Sequence, residues 1–321
     1  MNLYYIEKPQ TILDAAFSRG RKNAGSYPKQ KTPFYTLKGR EICKIDTSAL
    51  YIEETLMRAV KEFPSIEKLE PFYRDLYECI IDTNGIRKNI SSISSVVDVV
   101  KKVRRESLVR LKELRYQPGK ESLALNVSRA YFGRVSSLVK GLSKPIEYYN
   151  ESVKKLKELP SIRAKEECYL LAGFPNVGKS TLLAKITEAK PEVASYPFTT
   201  KGLNVGVMTR KHIPIQVIDT PGLLDRPLLE RNKIELKAIT ALQHLKGTII
   251  FVVDPLDDLE KQRNLFNEMK KLFTEHGFMV VINKSDISGA EQIEAAKEKF
   301  KDFVTVVEGK GLSTLKEELL K

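Results

Sequence analysis

The sequence predicts an α + α/β chain: an antiparallel helical bundle over residues 1–160, then a three-layer α/β/α domain with a mostly parallel sheet over 161–321. Three observations predict it. Apolar residues of the first half recur at helical spacing. The second half alternates short apolar strands with helical stretches. The charge balance breaks at the same place: residues 1–160 hold 30 Lys and Arg against 19 Asp and Glu, and residues 161–321 hold 24 against 22.

Taken in order, Asp46-Thr47-Ser48 is an expected N-cap for a helix over ALYIEETLMRAVKEF, which ends before Pro64. Pro71 opens a further helix, PFYRDLYECIIDTNG. A long helix is expected from about Ile86 to Tyr116, where Ile86, Ile90, Ile93, Val97 and Val100 step by four, three, four and three, and Leu111 falls on the same arc. β-branched residues are frequent there, so the period rather than propensity decides for helix. SLALNVSRAYFGRVSSLV and PIEYYNESVKKLKEL follow, divided by Gly141 and Pro145, and Pro160 stops the last helix. The strands expected after it are CYLLAGF, LNVGVMT, IPIQVIDT, TIIFVVD, FMVVINK and FVTVVEG. LNVGVMT and IPIQVIDT, joined by a short turn, are the expected antiparallel pair among parallel strands.

Composition excludes several classes. The hydrophobic fraction of 42% is enough for real cores, and the longest apolar run, GTIIFVVDP, is too short to span a bilayer. MNLYYIEKPQ lacks the basic and apolar regions of a secretory signal. Cys43, Cys79 and Cys168 are far apart, as are His212, His244 and His276, which argues against a disulfide framework or a zinc site. The expectation is a soluble cytoplasmic protein with no membrane partner.

GFPNVGKS, Gly173 to Ser180, matches G-x-x-x-x-G-K-[ST] between a predicted strand and a predicted helix. Such a loop turns backbone N–H groups toward phosphate oxygens, and the helix N-terminus adds the positive end of its dipole. Asn176, Val177, Gly178, Lys179, Ser180 and Thr181 are the expected phosphate cradle, with Lys179 on the β- and γ-phosphates and the Ser180 hydroxyl on Mg²⁺. DTPG, Asp219 to Gly222, ends a strand; Asp219 would hold Mg²⁺ through water, and the Gly222 N–H would meet a γ-phosphate.

NKSD, Asn283 to Asp286, ends another strand. The Asp286 carboxylate can accept both N1–H and N2–H₂ of guanine, a pair that adenine lacks. Asn283 would tie this loop to the phosphate loop, and the Lys284 stem would cover the base. In SYPFTTKG, Thr200 is the expected Mg²⁺-contacting hydroxyl, with Thr199 the alternative. The fifth guanine-site loop normally reads Ser-Ala; here VVEGKGL stands in its place, with Glu308 and Gly309 the candidates. Three ordered motifs make the second half a Ras-like P-loop GTPase domain that takes GTP or GDP, with Lys179, Thr200 and Gly222 expected to carry the chemistry.

Two departures bear on hydrolysis. Ras-like proteins orient the attacking water with a glutamine just after the DTPG glycine, whereas this chain has Leu223. Slow intrinsic hydrolysis is expected, with backbone groups placing the water. Asn176 stands where Ras-like proteins usually have glycine, and in potassium-activated P-loop GTPases an asparagine there ligates K⁺.

The segments AGFPNVGKSTLL, YPFTTKGLNVG, DTPGLLDRPLLERNKIELKAITAL and, upstream, PFYRDLYECIID resemble the nucleolar GTP-binding proteins, Obg-like GTPases of large ribosomal subunit assembly. The resemblance runs from the N-terminal helices to about Asp286. Eukaryotic members continue past the GTPase domain, so a chain ending at Lys321 looks like the shorter archaeal-type form. The resemblance implies a GTP-hydrolysing assembly factor that binds ribosomal RNA in the pre-large-subunit particle, alongside ribosomal or assembly proteins.

The basic half points the same way. Residues 18–40 carry seven Lys and Arg and no acid, with Tyr27, Phe34 and Tyr35 interleaved to stack on bases. Arg19, Arg21, Lys22, Lys29 and Lys31 of this loop are candidate RNA contacts. So are Lys101, Arg105 and Lys112, which fall within about 40° of one another on the long helix. A GTPase signalling switch whose bundle binds a protein partner is the alternative, and Asp286 opposes an ATP-dependent kinase.

Overall fold

The computed structural model describes residues 3–117, 122–159, 161–188, 192–194, 202–302, 304–307 and 312–319. The chain divides into two compact units, Met1–Ser65 with Ile81–Lys157, and Ile66–Ile80 with Glu158–Lys321.

The helices before the sheet are α1 (Pro9–Gly25), α2 (Pro33–Glu62), α3 (Pro71–Ile80), α4 (Thr83–Glu113), α5 (Ser122–Lys140) and α6 (Ser143–Lys157). All but α3 belong to the first unit. α2 begins at Pro33, where the fixed φ of proline suits the first helical position and the Thr32 side chain accepts the Tyr35 N–H. It then runs unbroken through Asp46-Thr47-Ser48, the expected cap. Asp46 instead pairs with Arg104 of α4 at 2.6 Å, and the Ser48 hydroxyl bonds back to the Ile45 carbonyl. A tertiary ion pair and a backbone bond within the helix remove the reason for a cap. The predicted arc of α4 is its buried face, with Ile86, Ile93, Val97, Val100 and Leu111 inside and Ile90 half-buried.

α3 packs in the second unit. Phe72 and Leu76 join that unit's core, and Tyr73 Oη donates to the Ile162 carbonyl at 2.6 Å while accepting the Ile162 N–H at 2.9 Å. Amphipathic spacing marks α3 as a helix but carries no sign of which core it serves.

The second unit continues with β1 (Glu167–Ala172), α7 (Lys179–Ile186), β2 (Glu192–Ala194), β3 (Leu203–Arg210), β4 (Ile213–Asp219), α8 (Lys233–Gln243), β5 (Lys246–Val253), α9 (Leu259–Leu272), β6 (Gly277–Ile282), α10 (Ala290–Lys299), β7 (Val304–Val307) and α11 (Leu312–Leu319). The described strands form one sheet in the order β2-β3-β4-β1-β5-β6-β7. β2 and β4 pair antiparallel with β3, and the remaining pairs are parallel. Alternation along each strand divides the core between the two faces. Leu170, Ile249, Phe251 and Val280 pack with α3, α8 and α9 on one side; Leu171, Ile250, Val252 and Val281 pack with α7 and α11 on the other. The C-terminal ends of β1, β4, β5 and β6 thereby bring the loops of the three motifs to one edge, where open α/β sheets bind ligands.

Candidate functional site: a phosphate cradle and its neighbours

The loop after β1 opens with Gly173 at φ 132° and passes through Asn176 at φ 64° and Gly178 at φ 98°. A Cβ on Gly178 would stand 2.1 Å from Asn283 Nδ2, so glycine is required there by a neighbour as well as by the backbone. Lys179 then starts α7. Its Nζ donates to the Gly173 and Phe174 carbonyls at 2.8 and 2.7 Å, folded back along its own loop. Burial lowers the Lys179 pKa, opposed by the charges of Asp219 and Asp225. The ammonium is held in a place that costs it hydration, and phosphate oxygens would restore what burial removes.

Asp219 ends β4 and is fully buried. Its Oδ2 accepts the Ser180 hydroxyl at 2.5 Å and Asn204 Nδ2 at 3.0 Å, while Oδ1 has no hydrogen-bond partner among the described residues. An orphaned buried carboxylate oxygen beside a serine hydroxyl is a hard, oxygen-only donor set, and it fits Mg²⁺ with part of its water shell. A cavity of about 730 Å³ lies over these groups, lined among others by Asn176, Lys179, Ser180, Thr181, Asn204, Gly222 and Asp225.

After β4 the chain turns at Gly222, φ 81°. The Gly222 N–H, expected to face a γ-phosphate, donates to Asp225 Oδ2 at 2.8 Å. Leu223 and Leu224 are fully buried in the core, and the Leu224 carbonyl accepts the Gly173 N–H at 2.9 Å. Leu223 is therefore a packing residue beneath the loop. The Arg231 side chain is fully buried; it donates to the Gly222 and Arg226 carbonyls at 3.1 and 2.7 Å, and Asp225 Oδ1 lies 3.9 Å from it. Arg226 pairs in turn with Glu235 at 2.9 Å. Sequence reasoning missed Asn204, Asp225 and Arg231, because isolated charged and amide residues in a loop look like solvated surface.

Asn283 and Asp254 organise the loop after β6. Asn283 Nδ2 donates to the Val177 carbonyl at 2.8 Å. Lys284, at φ 57°, places Nζ 2.6 Å from Asp254 Oδ2, which fixes the aliphatic stem. Gln262 exchanges two hydrogen bonds with the Asp254 backbone and holds that residue in turn. Asp286 is exposed on the same loop. Thr200, Glu308 and Gly309 lie outside the described residues.

The RNA candidates belong to the first unit. Arg19, Arg21 and Lys22 are exposed on α1, Lys29 and Lys31 on the link to α2, and Lys101, Arg105 and Lys112 on α4. Most of 18–40 is therefore helix, and only Ser26–Thr32 is the expected loop. Of its aromatics, Phe34 is buried and packs on Tyr35 and Tyr116, so it offers no face to a base. Tyr35 is exposed, and the Arg19 guanidinium lies 4.2 Å over the Tyr51 ring. Lys38 caps the end of α4, donating to the Lys112 and Leu114 carbonyls.

Residues 2–163 match the family model described as the NOG1 N-terminal helical domain, and residues 169–284 match the 50S ribosome-binding GTPase model. The chain is 35% identical over 297 residues to an uncharacterised protein of Methanocaldococcus jannaschii, covering 90% of this chain and 81% of that protein. It is 36% identical over 261 residues to nucleolar GTP-binding protein 1 of Kluyveromyces lactis, covering 79% of this chain and 40% of the relative. For the same protein of Saccharomyces cerevisiae the figures are 33% over 309 residues, 94% and 47%. The chain thus spans half or less of these two nucleolar relatives.

Proposed function

The chain belongs to the nucleolar GTP-binding protein 1 family, and on that premise we propose that it is a GTP-hydrolysing assembly factor that binds ribosomal RNA of the large subunit. The observation that carries the GTPase half of this reading is the pair Lys179 and Ser180 on the wall of one cavity, with buried Asp219 bonded to Ser180 and the loop fastened through Val177 to Asn283. The RNA half is supported by the charge of +11 (30 minus 19) on residues 1–160 and by the match of a family model that names the 50S ribosome.

In this reading the phosphate-loop amides from Asn176 to Thr181 and the Lys179 ammonium hold the phosphates, and Asp286 selects guanine. Ser180, Asp219 and Thr200 are the residues that would hold Mg²⁺, which would supply positive charge to the phosphates. Lys179 and Gly222 stabilise the charge that develops as water attacks phosphorus and the bond to the β-phosphate oxygen breaks, giving GDP and phosphate. Asn176, at positive φ on the cavity wall, is suited to hold K⁺, which would add positive charge where an arginine finger otherwise acts. Comparing GTPase rates in matched K⁺ and Na⁺ buffers tests that assignment, and equal rates remove it. Cys43, Cys79 and Cys168 are free thiols, which supports a cytoplasmic setting.

Salt dependence tests the RNA half. Binding of the full chain to large-subunit ribosomal RNA should weaken steeply as salt rises, as phosphate neutralisation requires. Neutralising Arg19, Arg21, Lys22, Lys29 and Lys31 together should flatten that slope, by about 0.7–0.9 for each phosphate left without a cation. Equal affinity of the five-fold variant at every salt concentration would leave these side chains as solvated surface.

A further inference from the structure

We propose that Asp225 is an internal competitor of the terminal phosphate: its carboxylate takes the Gly222 N–H that GTP needs, and so it sets the ratio of GDP to GTP affinity. The inference rests on the reading of the cavity as a guanine nucleotide site.

Three observations carry it. The Gly222 N–H is already bonded to Asp225 Oδ2 at 2.8 Å, and Asp225 lines the same cavity as Lys179 and Ser180. The backbone around this bond is anchored on both sides. Leu223 and Leu224 are sunk in the core, the Leu223 N–H closes a turn onto the Thr220 carbonyl at 3.1 Å, and Leu224 is bonded to Gly173. Finally, Asp225 has a second place to go. Its Oδ1 is buried without a hydrogen bond among the described residues, 3.9 Å from an Arg231 guanidinium that already grips the Gly222 and Arg226 carbonyls.

A phosphate oxygen and a carboxylate oxygen cannot share one N–H, and like charges at that separation repel in a partly dry site. GDP ends at the β-phosphate and makes no demand on Gly222. GTP must displace Asp225 from that N–H and send its carboxylate toward Arg231. The side chain thus has two positions, on Gly222 or on Arg231, and only the second leaves the γ-phosphate its donor. Asp225 is therefore a specificity-determining residue for nucleotide state. Its role is distinct from that of the phosphate-loop backbone amides, which would cradle the α- and β-phosphates that GDP and GTP share.

The test is equilibrium binding of GDP and of a non-hydrolysable GTP analogue to the full chain with Mg²⁺, for wild type and Asp225→Asn. Asparagine keeps the shape and an acceptor oxygen but loses the charge, and charge-assisted hydrogen bonds are about twice as strong as neutral ones. Affinity for the analogue should rise by about tenfold more than affinity for GDP, equivalent to about 1.4 kcal/mol in the ratio. An unchanged ratio, or a specific loss of analogue binding, overturns the proposal. Should Asp225→Asn leave Arg231 unbalanced and the protein unfolded, the charge-balanced double variant Asp225→Asn with Arg231→Gln gives the same reading, and a wild-type ratio there overturns it equally. Failure of wild type to bind either nucleotide would instead sink the guanine-site reading, and this proposal with it.

Discussion

Asn283 Nδ2 donates to the Val177 carbonyl oxygen at 2.8 Å, and the same amide nitrogen occupies the space that a side chain on Gly178 would need. The loop after β6 and the loop after β1 are therefore one mechanical piece. Asn283→Ala should cost about 1–3 kcal/mol of stability by stranding a buried carbonyl, and should weaken GDP binding as well. Gly178→Ala should be destabilising alone and less so in the Asn283→Ala background. Denaturant unfolding of the four proteins in a double-mutant cycle checks this. A coupling energy of zero would mean that the two residues do not meet.

Leu223 gives the second prediction. Because the side chain is wholly inside the core, Leu223→Ala should destabilise by about 2–5 kcal/mol through loss of burial and the cavity left behind. Hydrolysis per folded molecule should stay the same. Leu223→Gln should bury an amide without a partner and give no acceleration. A rate gain in Leu223→Gln, measured at equal folded concentration, would show that the side chain reaches the nucleotide after all.

Guanine selection is the third. Asp286→Asn should weaken GTP and GDP and admit xanthine nucleotides, whose ring offers an oxygen where guanine offers N2–H₂. ATP should not compete with GTP for wild type. Equal ATP and GTP affinities in a calorimetric titration would remove the assignment of Asp286.

His276 gives a pH dependence. Burial lowers its pKa from 6.5, and its ring stacks edge-on against Phe273 at 5.1 Å. The fold favours the neutral imidazole, so the unfolded chain takes up the proton first. Stability is full above pH 6.5 and declines as pH falls through the lowered folded value. Unfolding free energies measured from pH 7.5 downward for wild type and His276→Asn should diverge below about pH 6.5, the wild type losing more. Parallel curves would contradict the assignment.

Much of this molecule is readable without coordinates, for a physical reason. GFPNVGKS and NKSD hold particular residue types at fixed spacing, so local sequence carries their place at the ends of β1 and β6. α4 is legible because its apolar residues hold one period over most of its length. What local sequence does not carry is choice of partner. Asp46-Thr47-Ser48 has the chemistry of a cap, but Asp46 is taken by Arg104, 58 positions away. α3 has a good amphipathic face and packs with the second unit's core. β2 is three residues long and has no period to detect. The Asp225–Arg231 arrangement is invisible in sequence because burial of a charged pair in a loop depends on what the flanking leucines pack against.

Binding of ribosomal RNA is the central claim. Crosslinking in living cells, followed by sequencing of the RNA attached to this protein, tests it most directly. The prediction is strong enrichment of large-subunit ribosomal RNA at a few discrete positions, lost when Arg19, Arg21, Lys22, Lys29 and Lys31 are neutralised together. Reads spread in proportion to cellular RNA abundance, unchanged in the five-fold variant, would contradict it and leave a GTPase whose helical unit serves a protein partner.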